Sequence, residues 1–212
     1  MAVLDETLSK IFLYVVIVLS AVIHEYSHGF VANELGDPTA KRAGRLTLNP
    51  LAHIDPVGTI LVPLVLMLTS GSFLGWAKPV PFDPRNIRDP KGELKIALGG
   101  PVSNLAVAGI ISLGFLGMRL IFPALSGNES LVNAVGLIIY VNIFLALFNL
   151  IPVPPLDGSR ILGSFLSHRA REAFFSIGPI GILIALLISM LVLSPVAQMV
   201  FALFTGFGFI FG

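Results

Sequence analysis

Five residues, His24-Glu25-Tyr26-Ser27-His28, stand inside an apolar run that begins at Ile11 and continues past them to Ala32. Ionisable side chains at membrane depth are costly unless they serve a site. Helical residues four apart share a face, so both imidazoles can reach one metal ion. Glu25 is turned one residue step from His24, roughly 100°, and can address water beside that ion. Two histidines satisfied by ordinary hydrogen bonds are the plain alternative, and three ionisable groups in five residues count against it. The H-E-x-x-H pattern points to zinc.

Such a helix needs a bilayer around it. The chain of 212 residues is 55% hydrophobic and 12% charged, against about 25% charged for a soluble domain. Apolar runs cover about residues 8–32, 57–76, 94–122, 131–150, 174–193 and 196–211. A spanning helix takes about 20 residues. The expected fold is therefore an all-α polytopic membrane protein of about five to six transmembrane or re-entrant segments, forming a single domain over 1–212. Pro63 and nearby glycines suit a segment 57–76 that dips in and returns. Lys10 ahead of the first run resembles a signal peptide, but the polar motif that follows is no small-residue cleavage site. Loops 34–56, 77–95 and 152–173 carry Lys and Arg, whereas 123–130 carries none. The positive-inside rule makes the first three cytoplasmic. A net charge of +1 offers no basic field for nucleic acid. The absence of cysteine excludes thiolate ligands and disulfides.

A catalytic zinc takes three protein ligands and keeps a fourth position open. Candidates for the third are His53, His168 and the acidic residues. Asp157 stands out, since it closes Asn149-Leu150-Ile151-Pro152-Val153-Pro154-Pro155-Leu156-Asp157-Gly158. Three prolines there break the helix, and broken backbone at membrane depth is tolerated where it lines a cavity.

These two motifs, at 24–28 and 149–158, resemble those of the site-2 protease (M50) family of intramembrane zinc metalloproteases. Gly92-Glu93-Leu94-Lys95 through Gly99-Gly100-Pro101-Val102-Ser103-Asn104 resembles the start of that family's middle core helix. The similarity covers about residues 20–190 and fits the compact group without PDZ or CBS domains. It implies that His24, His28 and Asp157 hold one Zn2+ per chain, that Glu25 is the general base, and that Asn149 contacts substrate or stabilises an oxyanion. It also implies a transmembrane or membrane-associated protein substrate, and a bacterial or archaeal cell membrane with the active site toward the cytoplasmic side.

Other polar residues read more plainly. Asn104 ties the middle helix to its neighbours, His53 is a loop histidine near the membrane surface, and His168 belongs to a solvated loop. Trp76 and Tyr140 are interface anchors or packing. Gly44–Leu48 and Gly75–Val80 look strand-like, giving a small β element near the cytoplasmic face. Pro79 and Pro81 confine the second stretch to a sheet edge, where an unwound substrate can add as a strand. A cation transporter would show further intramembrane ligands in repeated halves, and none is seen. A silent scaffold is disfavoured by the intact set of four residues.

Overall fold

A computed structural model describes residues 2–70, 75–178 and 180–206. Within them every regular element is helical. Among the described residues four stretches are long and apolar enough to cross a membrane: Glu6–Glu34, Gly92–Ile121, Glu129–Asn149 and Ile180–Thr205. They expose large apolar side chains such as Ile110, Leu113, Leu120 and Leu203, a surface that suits lipid and not water. The chain forms an integral membrane protein. It divides into two compact units, residues 1–100 and 101–212.

The first unit opens with α1 (Ala2–Glu34) and the short α2 (Thr39–Arg42). A 3₁₀ turn, Pro50–His53, follows. A π-turn, Pro56–Leu61, leads into α3 (Val62–Ser70). Asp55 caps this entry by accepting from the Val57 and Gly58 N–H groups at 3.0 and 2.6 Å. Pro63 has no N–H to return to the preceding turn, and the carbonyls there find other donors. Gly58 O accepts from Trp76 N at 3.1 Å, and Thr59 O accepts from the Tyr14 hydroxyl. The apolar helix Pro56–Thr69 has 14 residues, about 21 Å at 1.5 Å per residue, short of a roughly 30 Å hydrocarbon core.

The β element expected near the cytoplasmic face is not formed among the described residues. After Gly44, at φ +66°, Arg45 N turns back to Ala40 O at 2.9 Å. Backbone committed to a turn cannot join a ladder. Residues 75–83 are irregular, and their hydrogen bonds go to carbonyls and carboxylates of unlike elements. The unit ends with the first turns of α4 (Gly92–Ile121).

The second unit holds the rest of α4, then α5 (Glu129–Asn149), α6 (Asp157–Gly163), α7 (His168–Phe175), α8 (Ile180–Ile188) and α9 (Ser194–Thr205). Ala108, Ile139, Ile143, Ala197 and Phe201 form its core. The two apolar runs expected at 174–193 and 196–211 instead make one span, Ile180–Thr205. A π-turn at Ser189–Leu193 joins α8 to α9. Pro195 falls in the first turn of α9, where a missing N–H does no harm. Residues 207–212, the end of the expected last run, lie outside the described residues.

Candidate metal centre

The bilayer demands that backbone polar groups be satisfied within the helix, and α1 meets this through the motif. Ser27 Oγ donates to Ile23 O at 2.7 Å, so its hydroxyl is satisfied on the helix itself. Tyr26 and Phe30 stack one turn apart with centroids at 6.0 Å. His24 is buried. His24 Nε2 and His28 Nε2 lie 3.0 Å apart.

The tautomer of His28 follows from its other nitrogen. Nδ1 lies 2.6 Å from Ile96 O, in the first turns of α4. A carbonyl carries no proton, so Nδ1–H donates and Nε2 presents a lone pair toward His24. Histidines that ligate metals usually make this bond from the remote ring nitrogen. Two nitrogens bound tetrahedrally to one zinc at about 2.0–2.1 Å would sit roughly 3.3 Å apart, a few tenths from the separation found. The space beside them is kept clear by Gly100. A Cβ built there would stand 2.5 Å from both Nε2 atoms. At Gly99 a Cβ would come within 3.1 Å of Ser27 O, so paired glycines let α4 approach the motif. The residues fit a zinc site.

Glu25 points elsewhere than to a cation. Its Oε2 accepts the Val80 N–H at 2.8 Å. Val80 is buried, and its side chain lies against Gly29, where a Cβ would meet Val80 Cγ1 at 2.9 Å. Val80 thus rests on the Glu25 and Gly29 side of α1, whereas Trp76 N and Lys78 N go to Gly58 O and His53 O. The proposed strand at 75–80 is a docked, unladdered chain.

In the second unit Asp157 is the first residue of α6, and not part of an irregular stretch. The chain turns from α5 through 150–156, and Gly158 permits it: a Cβ there would overlap the Leu150 and Ile151 carbonyls. Ser159, fully buried, returns its hydroxyl to Leu156 O at 2.6 Å. Asn149 ends α5 with Nδ2 donating to Leu145 O at 2.9 Å.

The remaining sequence candidates separate clearly. His53 is buried instead of lying in an open loop, and its Nε2–H donates to Thr47 O at 2.8 Å. His168 is exposed and faces Glu172 Oε1 at 3.6 Å. Asn104 donates from Nδ2 to Asn142 Oδ1 at 2.9 Å, a buried tie between α4 and α5. Tyr140 packs between Phe144 and Phe201, and Trp76 lies over Gly58. Sequence reasoning missed Asn142 and Asp37. Asp37 is fully buried just past α1, and it accepts from Thr39 N at 3.1 Å, Thr39 Oγ1, Asn86 Nδ2 at 2.8 Å and Asp83 N at 2.6 Å. Burial pushes its carboxyl up, but these hydrogen bonds outweigh it and hold Asp37 below the ordinary carboxylate range. The only sequence signal was a lone acid after an apolar helix.

Comparison with known proteins agrees with the geometry. Residues 12–193 match the model of peptidase family M50. The chain is 37% identical over 166 residues to YwhC of Bacillus subtilis (strain 168), named there as a candidate zinc metalloprotease, covering 76% of this chain and 71% of that one. It is 27% identical over 157 residues to Rip2 of Mycolicibacterium smegmatis, likewise a candidate zinc metalloprotease, covering 73% and 57%. Zinc metalloprotease MJ0392 of Methanocaldococcus jannaschii is 25% identical over 213 residues, 98% of this chain and 51% of that one. The chain thus spans little more than half the length of the last two. No solved structure matches. The protein belongs to peptidase family M50, and is a membrane zinc metalloprotease of the site-2 type.

Proposed function

We propose that this chain is a single intramembrane protease domain that hydrolyses peptide bonds in transmembrane or membrane-associated segments, in the manner of regulated intramembrane proteolysis. The observation that carries the reading is the position of the motif. His24, Glu25 and His28 lie within a helix long and apolar enough to span a bilayer, so the chemistry belongs at membrane depth. For the metal we assign His24, His28 and Asp157. In support, the Nε2 atoms of the two histidines lie 3.0 Å apart, and two nitrogens with one oxygen suit zinc.

A zinc ion held by these residues would lower the pKa of its water to about 7 and would polarise a carbonyl. Glu25 takes the proton from the attacking water as the water oxygen bonds to the carbonyl carbon. When the C–N bond breaks, Glu25 passes that proton to the leaving amine. Asn149 keeps one amide N–H beyond its bond to Leu145, and we assign that proton to a substrate carbonyl.

A membrane helix hides its peptide groups in i→i−4 bonds, so substrate must unwind, and freed groups need partners. Residues 76–80 offer them. Trp76 N, Lys78 N and Val80 N bond inward to Gly58 O, His53 O and Glu25 Oε2. Trp76 O and Lys78 O bond inward to Thr59 Oγ1 and Arg45 Nη2. Alternate residues of an extended chain present both backbone groups to one side. Ala77, Pro79 and Pro81 therefore face the other side, an edge that a substrate strand can join. The basic loops around this segment favour the cytoplasmic face, and the bacterial and archaeal relatives favour a prokaryotic cell membrane.

The test is cleavage of a fluorophore- and quencher-labelled 20-residue apolar peptide in detergent. Cleavage by the protein, several-fold slower for Ala77→Pro at equal zinc content, supports the reading. Normal cleavage by Ala77→Pro removes the edge from it, and no cleavage of any such peptide removes the substrate class.

A further inference from the structure

Arg45 keeps 7% of its surface exposed, yet the protein sets no anion against it. One N–H of its Nη2 donates to Lys78 O at 2.5 Å. Its Nε is sealed from solvent with no partner. Among the described residues no carboxylate pairs with it. The two acids of the same loop are engaged by other donors, Asp37 by Thr39, Asp83 and Asn86, and Asp55 by Val57 and Gly58. A guanidinium cannot shed its proton, and a buried charge without a partner is costly. A second sealed atom belongs to the same bonding pattern. His53 Nδ1 has no partner, while His53 O accepts the Lys78 N–H at 2.9 Å. The two residues that clamp Lys78 thus each carry an unsatisfied buried polar atom, and such atoms in native proteins point to a bound ion, water or ligand. The way in lies at Arg45 Nη1, which has no partner and is not sealed.

The surroundings decide the kind of anion. α1 crosses the membrane over Glu6–Glu34, so the loop after it begins at the bilayer surface. Lys41 and Arg42 are exposed there, and basic residues beside a spanning helix draw anionic headgroups. Leu48 and Leu51 follow in the same loop, 57% and 75% exposed. Apolar side chains at that depth are covered by the boundary between headgroups and acyl chains. An acidic peptide would answer the cations but leave the leucines bare. We propose that Arg45 is the centre of a binding site for an anionic phospholipid. Its planar fork takes the headgroup phosphate, and Leu48 and Leu51 enter the acyl boundary. The phosphate supplies the counter-charge that the loop lacks. Because Nη2 also holds Lys78 O, a lipid bound there braces the 76–80 segment. The site requires only that the chain be embedded in a bilayer, whatever its substrate.

The test is native mass spectrometry of the zinc-loaded full chain in detergent, titrated with phosphatidylglycerol, phosphatidylcholine or inorganic phosphate. Phosphatidylglycerol should bind about 10- to 100-fold tighter than phosphatidylcholine, and Arg45→Gln should remove that preference, the range for a hydrogen bond to a charged group. Lys41→Gln with Arg42→Gln should cost less, and only at low salt. Leu48→Gln with Leu51→Gln should weaken both lipids at unchanged zinc content. Inorganic phosphate should bind far more weakly than phosphatidylglycerol. Equal binding of the two lipids overturns the proposal, as does an Arg45→Gln protein that keeps the preference. Inorganic phosphate as tight as phosphatidylglycerol would make this a free-phosphate site and overturn the lipid assignment. A glutamate-rich peptide that binds through Arg45 when phosphatidylglycerol does not would move the site to a protein partner, which also overturns it. Should Arg45→Gln fail to fold, the exposed leucine pair decides, and undiminished lipid binding by that variant overturns the proposal.

Discussion

The Val80 N–H donates to Glu25 Oε2 at 2.8 Å. One carboxylate oxygen thus holds the 76–80 segment, and in the proposed role the other would take the proton. A glutamine can keep the first duty and not the second, because its amide oxygen still accepts from Val80.

Glu25→Gln should therefore bind about one zinc per chain and leave the 76–80 segment in place. Its cleavage of the labelled peptide should fall by at least about 100-fold, the lower range for general acid–base catalysis. Zinc by atomic absorption and cleavage by fluorescence check this. Loss of zinc would give Glu25 a ligand role, and near-normal cleavage would remove it as the base.

Asp157→Ala should weaken zinc binding by more than the roughly 10–100-fold that follows loss of a supporting partner. Competition with a chelator of known affinity measures it. Undiminished affinity would end the assignment of Asp157 and return the question to the other acidic residues. His53 returns with them, since its Nε2–H goes to Thr47 O and its buried Nδ1 has no hydrogen-bond partner.

Gly100→Ala adds one methyl group, and that methyl would stand 2.5 Å from both histidine Nε2 atoms. The imidazoles must move to admit it, so zinc content and cleavage should fall together. Gly117→Ala is the control on the same helix. Nothing lies within 4 Å of a Cβ there, so zinc should be unchanged and stability should rise by about 0.5–1 kcal/mol. Normal zinc binding by Gly100→Ala would mean the cradle is wider than it looks.

Asp37 should make the first unit acid-sensitive. Its folded pKa is depressed, so its contribution is present above the unfolded value near 3.8 and is lost as pH falls through the folded value. Thermal unfolding in detergent should be flat from pH 7 to 5 with respect to this group and decline below about pH 4. Asp37→Asn should be less stable at neutral pH and should lose less on acidification. An identical acid profile for Asp37→Asn would show that other carboxylates govern it.

The pairing of His24 with His28 was legible because residues four apart share a helix face. The spans were legible because composition alone sets them. The merged last span was not. Pro195 reads as a break, and only the π-turn at Ser189–Leu193 lets the helix pass into it. The strand at 44–48 failed because Arg45 N is bonded to Ala40 O, a contact with no trace in residue alternation. The irregular segment at 76–80 carries prolines but forms no strand. Its partners were not legible, since Gly58 O became available only through the proline at 63, far along the chain from Trp76.

The Asn104–Asn142 bond carries a consequence for motion. Asn142 Nδ2 also donates to Ile138 O at 2.9 Å, so the two amides mate at one alignment of α4 with α5. Sliding either helix by a turn, about 5.4 Å, would strand two amides in hydrocarbon. The pair works as a key that fixes the register of α4 against α5.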